Sequence, residues 1–115
     1  MAFRFEGLQV YQKALDLVDC IYNLVEHFPQ HEIYALASQL RRAVTSIVLN
    51  IAEGTGRSTK EFSHFIDMAR TSAYECVAAL TIAKRRSYLT QGQYDEVYMQ
   101  LTEVIKMLHG LKNSL

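Results

Sequence analysis

The strongest constraint on this chain is a run of apolar residues at Ile33, Ala37, Leu40, Val44, Ile47 and Ile51. Steps of four and three alternate, which places all six on one stripe of an α-helix and on no face of a strand. Such a seam buries itself only against other helices, so the chain must supply them. The spacing predicts a helix over about Gln30 to Glu53, with Gly54 in the left-handed position that ends it.

Three more helices follow by the same reasoning. Leu8, Tyr11, Leu15, Val18, Tyr22 and Val25 trace a stripe, with Ala14, Leu17, Ile21, Leu24 and Phe28 on the adjoining flank, over about Leu8 to His27. Pro29, the only proline, ends that helix by removing a donor and biasing Phe28 away from helical backbone. Ser58-Thr59-Lys60-Glu61 has capping-box spacing, and Phe62, Phe65/Ile66, Ala69, Ala73, Cys76, Leu80 and Ala83 then line a long third helix ending near Ser87. Thr90-Gln91-Gly92-Gln93 repeats the capping signal before Val97, Leu101, Val104, Leu108 and Leu111. No segment alternates with period two, and the links are short. The expected fold is therefore all-α, an antiparallel up-down-up-down four-helix bundle in which residues 1–115 form one domain.

Half of the residues are hydrophobic, the upper end for a globular chain, and 115 residues give a lone bundle little interior to hide them. Self-association is the expected outlet. Formal net charge is zero, so no overall field steers the molecule onto nucleic acid. The distribution is less even: residues 54–88 carry six Lys/Arg against three acids, while residues 1–29 carry two against four. Cys20 and Cys76 lack CxxC spacing and read as small buried hydrophobes. No apolar run approaches the ~18–20 residues of a membrane span, and no signal-type apolar region opens the chain. A cytoplasmic protein with no membrane partner is expected.

The patterns of catalysis are thin. Glu61-Phe62-Ser63-His64 has the carboxylate–imidazole spacing of di-metal bundles, but no second copy exists and Glu61 has a capping role. Pro29 separates His27 from His31, which breaks the helix that would align them. Gly54-Thr55-Gly56 follows a helix instead of a strand and reads as a turn. No enzyme, cofactor or metal site is expected.

The polar side of the second helix is more informative. Ser38, Arg42, Ser46, Asn50 and Glu53 fall within about 120° of one another at 100° per residue, with Arg41 and Thr45 along one edge. Spacing alone favours a solvated face with local pairs such as Glu53 with Arg57. The sharper reading is an interaction stripe, in which paired arginines among hydroxyls and an amide recognise phosphate or carboxylate. Tyr11, Tyr22, Tyr34, Tyr94 and Tyr98 lie at or beside apolar stripes and are expected as core or helix-interface anchors.

The segment Ser38-Gln39-Leu40-Arg41-Arg42-Ala43-Val44-Thr45-Ser46 through Asn50-Ile51-Ala52-Glu53-Gly54, followed by Gly56-Arg57-Ser58 and Glu61-Phe62, resembles the bacterial four helix bundle protein family. These small proteins were first noticed as reading frames in intervening sequences of large-subunit ribosomal RNA genes. The opening Phe5-x-x-Leu8-x-Val10-Tyr11-x-Lys13-Ala14 and the stretch Phe28-Pro29-x-x-Glu32-x-Tyr34-x-Leu36 are similar to it as well, so the likeness spans nearly the whole chain. Val48 departs from a frequent family proline and leaves that helix straighter. The resemblance implies a ring-shaped homopentamer. It also implies kinship with the accessory protein of diversity-generating retroelements, a basic pentamer that binds nucleic acid and a reverse transcriptase. By similarity Arg41, Arg42, Asn50, Glu53 and Arg57 are the motif residues, with no catalytic role implied. Two functions compete: binding of structured RNA through Arg41, Arg42 and Arg57, with Lys84, Arg85 and Arg86 as a second patch, or a protein-interaction scaffold whose motif residues form structural ion pairs.

Overall fold

The computed structural model describes residues 2–115. Four α-helices follow one another: α1 (Gln9–Val25), α2 (Leu36–Thr55), α3 (Thr59–Arg85) and α4 (Gln91–Asn113). Short 3₁₀ turns at Arg4–Gly7 and Gln30–Glu32 precede α1 and α2. Every regular element among the described residues is helical, and successive helices run antiparallel around one core, as the periodicities require. The molecule is 42 Å long and 23 Å in its other dimensions, close to the length of α3 at 1.5 Å per residue, so α3 runs its full height. Helices α2 and α3 share the most extensive interface, and α1 meets α4 over the smallest.

Two features differ from the sequence pattern, one a boundary and one a choice of face. The second helix begins at Leu36, six residues later than its apolar seam predicts. Glu32 explains the delay: its Oε1 accepts from the Leu36 amide at 3.3 Å, while Arg41 Nη2 donates to the Ile33 carbonyl at 3.0 Å. Side chains thus satisfy backbone groups that another helical turn would have used. Ile33 consequently leaves the seam and is exposed. In α1 the two stripes exchange roles except at Val25, which is buried as its place on the first stripe predicts. Ala14, Leu17, Ile21, Leu24 and Phe28 are buried, whereas Leu8, Tyr11, Leu15 and Val18 pack at the margin and Tyr22 is exposed. Periodicity fixes the angle between stripes but not which one faces inward.

Caps set the other ends. Ser58 Oγ accepts from the Glu61 amide and donates to Glu61 Oε1, and Thr90 forms a reciprocal capping box with Gln93. Helix α3 stops at Ser87, whose φ of 63° is the left-handed conformation. The Tyr88 amide donates to the Ala83 carbonyl and the Ser87 amide to the Lys84 carbonyl, a Schellman closure built without glycine.

Gly54 is not the left-handed terminator that its position suggested. No glycine among the described residues has positive φ, and Gly54 is an ordinary helical residue of α2. Its missing side chain serves packing instead. A Cβ there would lie 2.7 Å from Phe62 Cδ1 and 2.8 Å from Phe65 Cβ. The Phe62 ring can turn, but Phe65 Cβ moves only with the α3 backbone.

Gly54→Ala therefore sets a gain of helix propensity near ~1 kcal/mol against overpacking of about 1–3 kcal/mol. A net loss is expected in urea unfolding, whereas Gly110→Ala, with nothing within 4 Å of the new methyl, should raise stability by about 0.5 kcal/mol. A Gly54→Ala protein as stable as the parent would show that the hairpin tolerates a wider spacing.

Candidate functional site

The polar stripe of α2 lines an open groove of about 540 Å³, to which α1 contributes Tyr22. Ser38, Arg41, Arg42, Thr45, Ser46 and Asn50 surround it, and Leu49 sits among them. Thr45 ties the groove to α1 through a 3.3 Å contact with the Tyr22 hydroxyl. Asn50 Nδ2 donates to the carbonyl and the Oγ of Ser46, at 2.9 and 3.0 Å, and Ser72 Oγ donates to Ser46 Oγ at 2.9 Å. Asn50 thereby belongs to a hydrogen-bonded bridge from α2 to α3, which fixes its rotamer at the groove margin.

The arginines of the motif stand in different situations. Arg57 Nη2 donates to Glu53 Oε1 at 3.0 Å, its Nη1 lies 3.7 Å from Glu61 Oε2, and its guanidinium covers the Phe65 ring at 5.4 Å. Two carboxylates and an aromatic face already engage it, so Glu53 and Arg57 form a local clasp across the α2–α3 link. Arg41 is committed to the Ile33 carbonyl. Arg42 is exposed and has no carboxylate within 4 Å among the described residues. At the end of α3, Lys84 is half-buried while Arg85 and Arg86 are exposed, and none of the three has a carboxylate within 4 Å among the described residues. Lys84–Arg86 lie at the end of the bundle that also carries Glu32 and Tyr88, so the geometry holds them apart from Arg57 at the other end of α2 and α3.

The remaining candidate chemistry is quiet. Glu61 is occupied by Ser58 and Arg57, and His64 packs beside Phe65. No three His, Cys, Asp or Glu among the described residues converge to hold a metal ion. Burial pushes the Cys76 thiol up to about 12 and also raises that of Cys20, which keeps both protonated near neutrality. Among the described residues no helix is long and apolar enough to cross a membrane.

Several residues missed by the pattern reading matter to this surface. Leu49 is 60% exposed in the groove, and Tyr22 flanks it. A second, more apolar trough runs between α3 and α4, where Tyr74, Val77, Ala78, Tyr98, Thr102 and Ile105 meet and Met99 stands 65% exposed beside them. Arg70 Nη2 steadies the Tyr74 hydroxyl at 3.3 Å. The signal was available: Leu49 falls inside the polar arc of α2, and Met99 falls about 200° from Val97 of the α4 seam. Tyr34 is further from expectation. It projects from the segment before α2 and is 95% exposed.

Fold and groove together define an antiparallel four-helix bundle whose second helix carries a motif-lined outer face. Within that class the chain belongs to the 23S rRNA-intervening sequence protein family, whose family model matches residues 6–110. It is also similar to a solved structure from Bacteroides thetaiotaomicron, a protein with unknown function from the S23 ribosomal protein family. The two share 27% identity over 90% of this chain and 95% of that one, with a TM-score of 0.84. No curated protein matches the chain.

Two carboxylates outside the groove have a pH consequence. The Tyr88 hydroxyl, donating to Glu32 Oε2 at 2.8 Å, holds that carboxyl below its ordinary range, and Lys112 Nζ, 2.8 Å from both oxygens of Asp67, does the same there. A carboxyl depressed in the folded state stabilises it above the unfolded pKa, and that contribution disappears as pH falls through the folded value. Unfolding free energy should thus decline below about pH 4.5. Tyr88→Phe and Lys112→Met should each cost stability at neutral pH and shrink the neutral-to-acid difference. Urea melts at both pH values check this, and an unchanged difference in both variants would remove the linkage.

Proposed function

We propose that this chain is a non-catalytic assembly protein that forms a homo-oligomer, with the homopentameric ring of the family resemblance as its closed form. The observation that carries the proposal is the pair of unlike exposed surfaces on one small bundle: Leu49 and Tyr22 on the α2 groove, and Tyr74, Tyr98 and Met99 on the α3–α4 trough. The backbones of α2 and α4 stay apart, as those of diagonal helices do, so the two surfaces face different directions. Unlike surfaces of one chain pair head to tail, and head-to-tail contacts close into rings or run on as filaments. The scaffold reading draws support from Arg57, which the Glu53 and Glu61 carboxylates hold in an intramolecular clasp. Sedimentation velocity across micromolar concentrations should give a defined oligomer, and Leu49→Arg should shift it toward monomer without loss of helix content. A parent protein that sediments only as monomer would refute the assembly.

A second reading has its own support. Arg42, Lys84, Arg85 and Arg86 have no carboxylate partner within 4 Å among the described residues, and repetition around an oligomer multiplies them into a basic surface that one neutral chain lacks. Such a surface suits the phosphates of structured RNA. Four cations on phosphate should give a slope of roughly −3 to −4 in log K against log salt, and Arg42→Ala should reduce its magnitude by about 1. Gel shifts with ribosomal RNA fragments measure this. No retardation at low salt would sink the RNA reading and leave assembly untouched.

A further inference from the structure

The groove on α2 carries charge of one sign only. Of the eight residues that line it, Arg41 and Arg42 are cationic and none is acidic. Glu26, four residues past Tyr22, stands outside the lining. In a chain of zero net charge, such a groove is a local positive field that attracts an anion. The field is not used up within the chain. Arg41 commits one guanidinium nitrogen, Nη2, to the Ile33 carbonyl, and Arg42 has no carboxylate within 4 Å among the described residues. Beside these cations stands a tethered aromatic ring. Thr45 Oγ1 donates to the Arg41 carbonyl at 2.7 Å, so in its 3.3 Å contact with Tyr22 the phenol hydroxyl is the donor. The bond holds the ring by its tip, while 40% of the residue remains exposed. Arg41 and Arg42 lie one turn before Thr45, about 5 Å along the helix axis. Ring and guanidinium groups therefore border one stretch of the groove.

We infer that this end of the groove binds an unpaired nucleotide of an RNA, with its base stacked on Tyr22 and its phosphate held by Arg41 and Arg42. The inference rests on the RNA reading above and names the unit of RNA that the groove takes. The chemistry of the lining selects the occupant. A protein carboxylate would neutralise the arginines but leave the ring bare. Duplex RNA offers phosphates, yet its bases stay stacked on one another and out of reach of Tyr22. An unpaired nucleotide brings a flat π-face and a phosphate together, and stacking on an aromatic side chain is the usual way such bases are held. Ser38, a further turn along α2, adds a hydroxyl on the phosphate side. Leu49 lies a turn beyond Thr45 in the other direction. It stays open to a neighbouring copy, so assembly and nucleotide draw on opposite ends of the groove.

Two RNA probes offered to the full chain separate ring from charge: a hairpin with one bulged fluorescent purine, and the same hairpin fully paired. The bulged form should bind about tenfold more tightly, the scale of one base stacked on an aromatic ring, and its fluorescence should be quenched on binding. Tyr22→Leu, which keeps apolar bulk and removes the π-face, should abolish that preference with helix content unchanged. Tyr22→Phe should retain it within a few-fold, and Arg42→Gln should weaken both hairpins. Equal affinity for the two hairpins, or a preference that survives Tyr22→Leu, overturns the nucleotide site while the RNA reading stands. Failure of both to bind at low salt overturns site and reading together. A glutamate-rich peptide that displaces the bulged hairpin at equal concentration overturns the choice of occupant.

Discussion

The close approach of α2 to α3 at Gly54 sets the geometry of everything else. With no side chain at that position, Phe62 and Phe65 press directly on the α2 backbone just before the chain reverses. A short link then has to run antiparallel, and the two helices keep contact along their length from the Glu53–Arg57 clasp through the Ser46–Ser72 hydrogen bond. This hairpin has the largest interface in the bundle, and α1 and α4 pack on it. The polar groove exists because α2 commits its apolar side wholly to the hairpin and to α1. Its opposite side is left to carry arginines, hydroxyls and an amide.

Electrostatics divides the motif residues into two kinds. Exposed ion pairs are worth only ~0–1 kcal/mol, so the Arg57 clasp adds little to stability. What it supplies is position: two carboxylates and the Phe65 face hold the guanidinium over the interhelical link. Arg42 faces the other way, toward solvent, with its charge unspent. A neutral chain can therefore carry both kinds of arginine: one neutralised where the hairpin turns, the other open on a helix face where another molecule can meet it.

Much of the architecture was legible in the sequence because helix period, capping spacing and the lone proline are local signals. Ser58 and Thr90 cap as their spacing predicts, and the core of α2, α3 and α4 follows the apolar stripes. What was not legible depended on contacts between distant residues. The late start of α2 requires Glu32 to meet Tyr88, more than fifty residues on, and Arg41 to reach back to Ile33. Which of two adjacent stripes of α1 turns inward depends on the other three helices. Gly54 looks identical in sequence whether it ends a helix or admits an aromatic ring. At the groove, the polar arc was readable and so was Leu49 within it, but Tyr34 beyond it could be recognised as surface only once its neighbours were placed.

The buried thiol of Cys76 has a practical side. It lies at full depth in the core, and burial keeps it protonated, so an alkylating reagent can reach it only when the helices part. Half-buried Cys20 sits near the surface of the same molecule as an internal standard. The chain thus carries its own clock for breathing: the ratio of the two labelling rates reads how often the bundle opens, with no probe introduced.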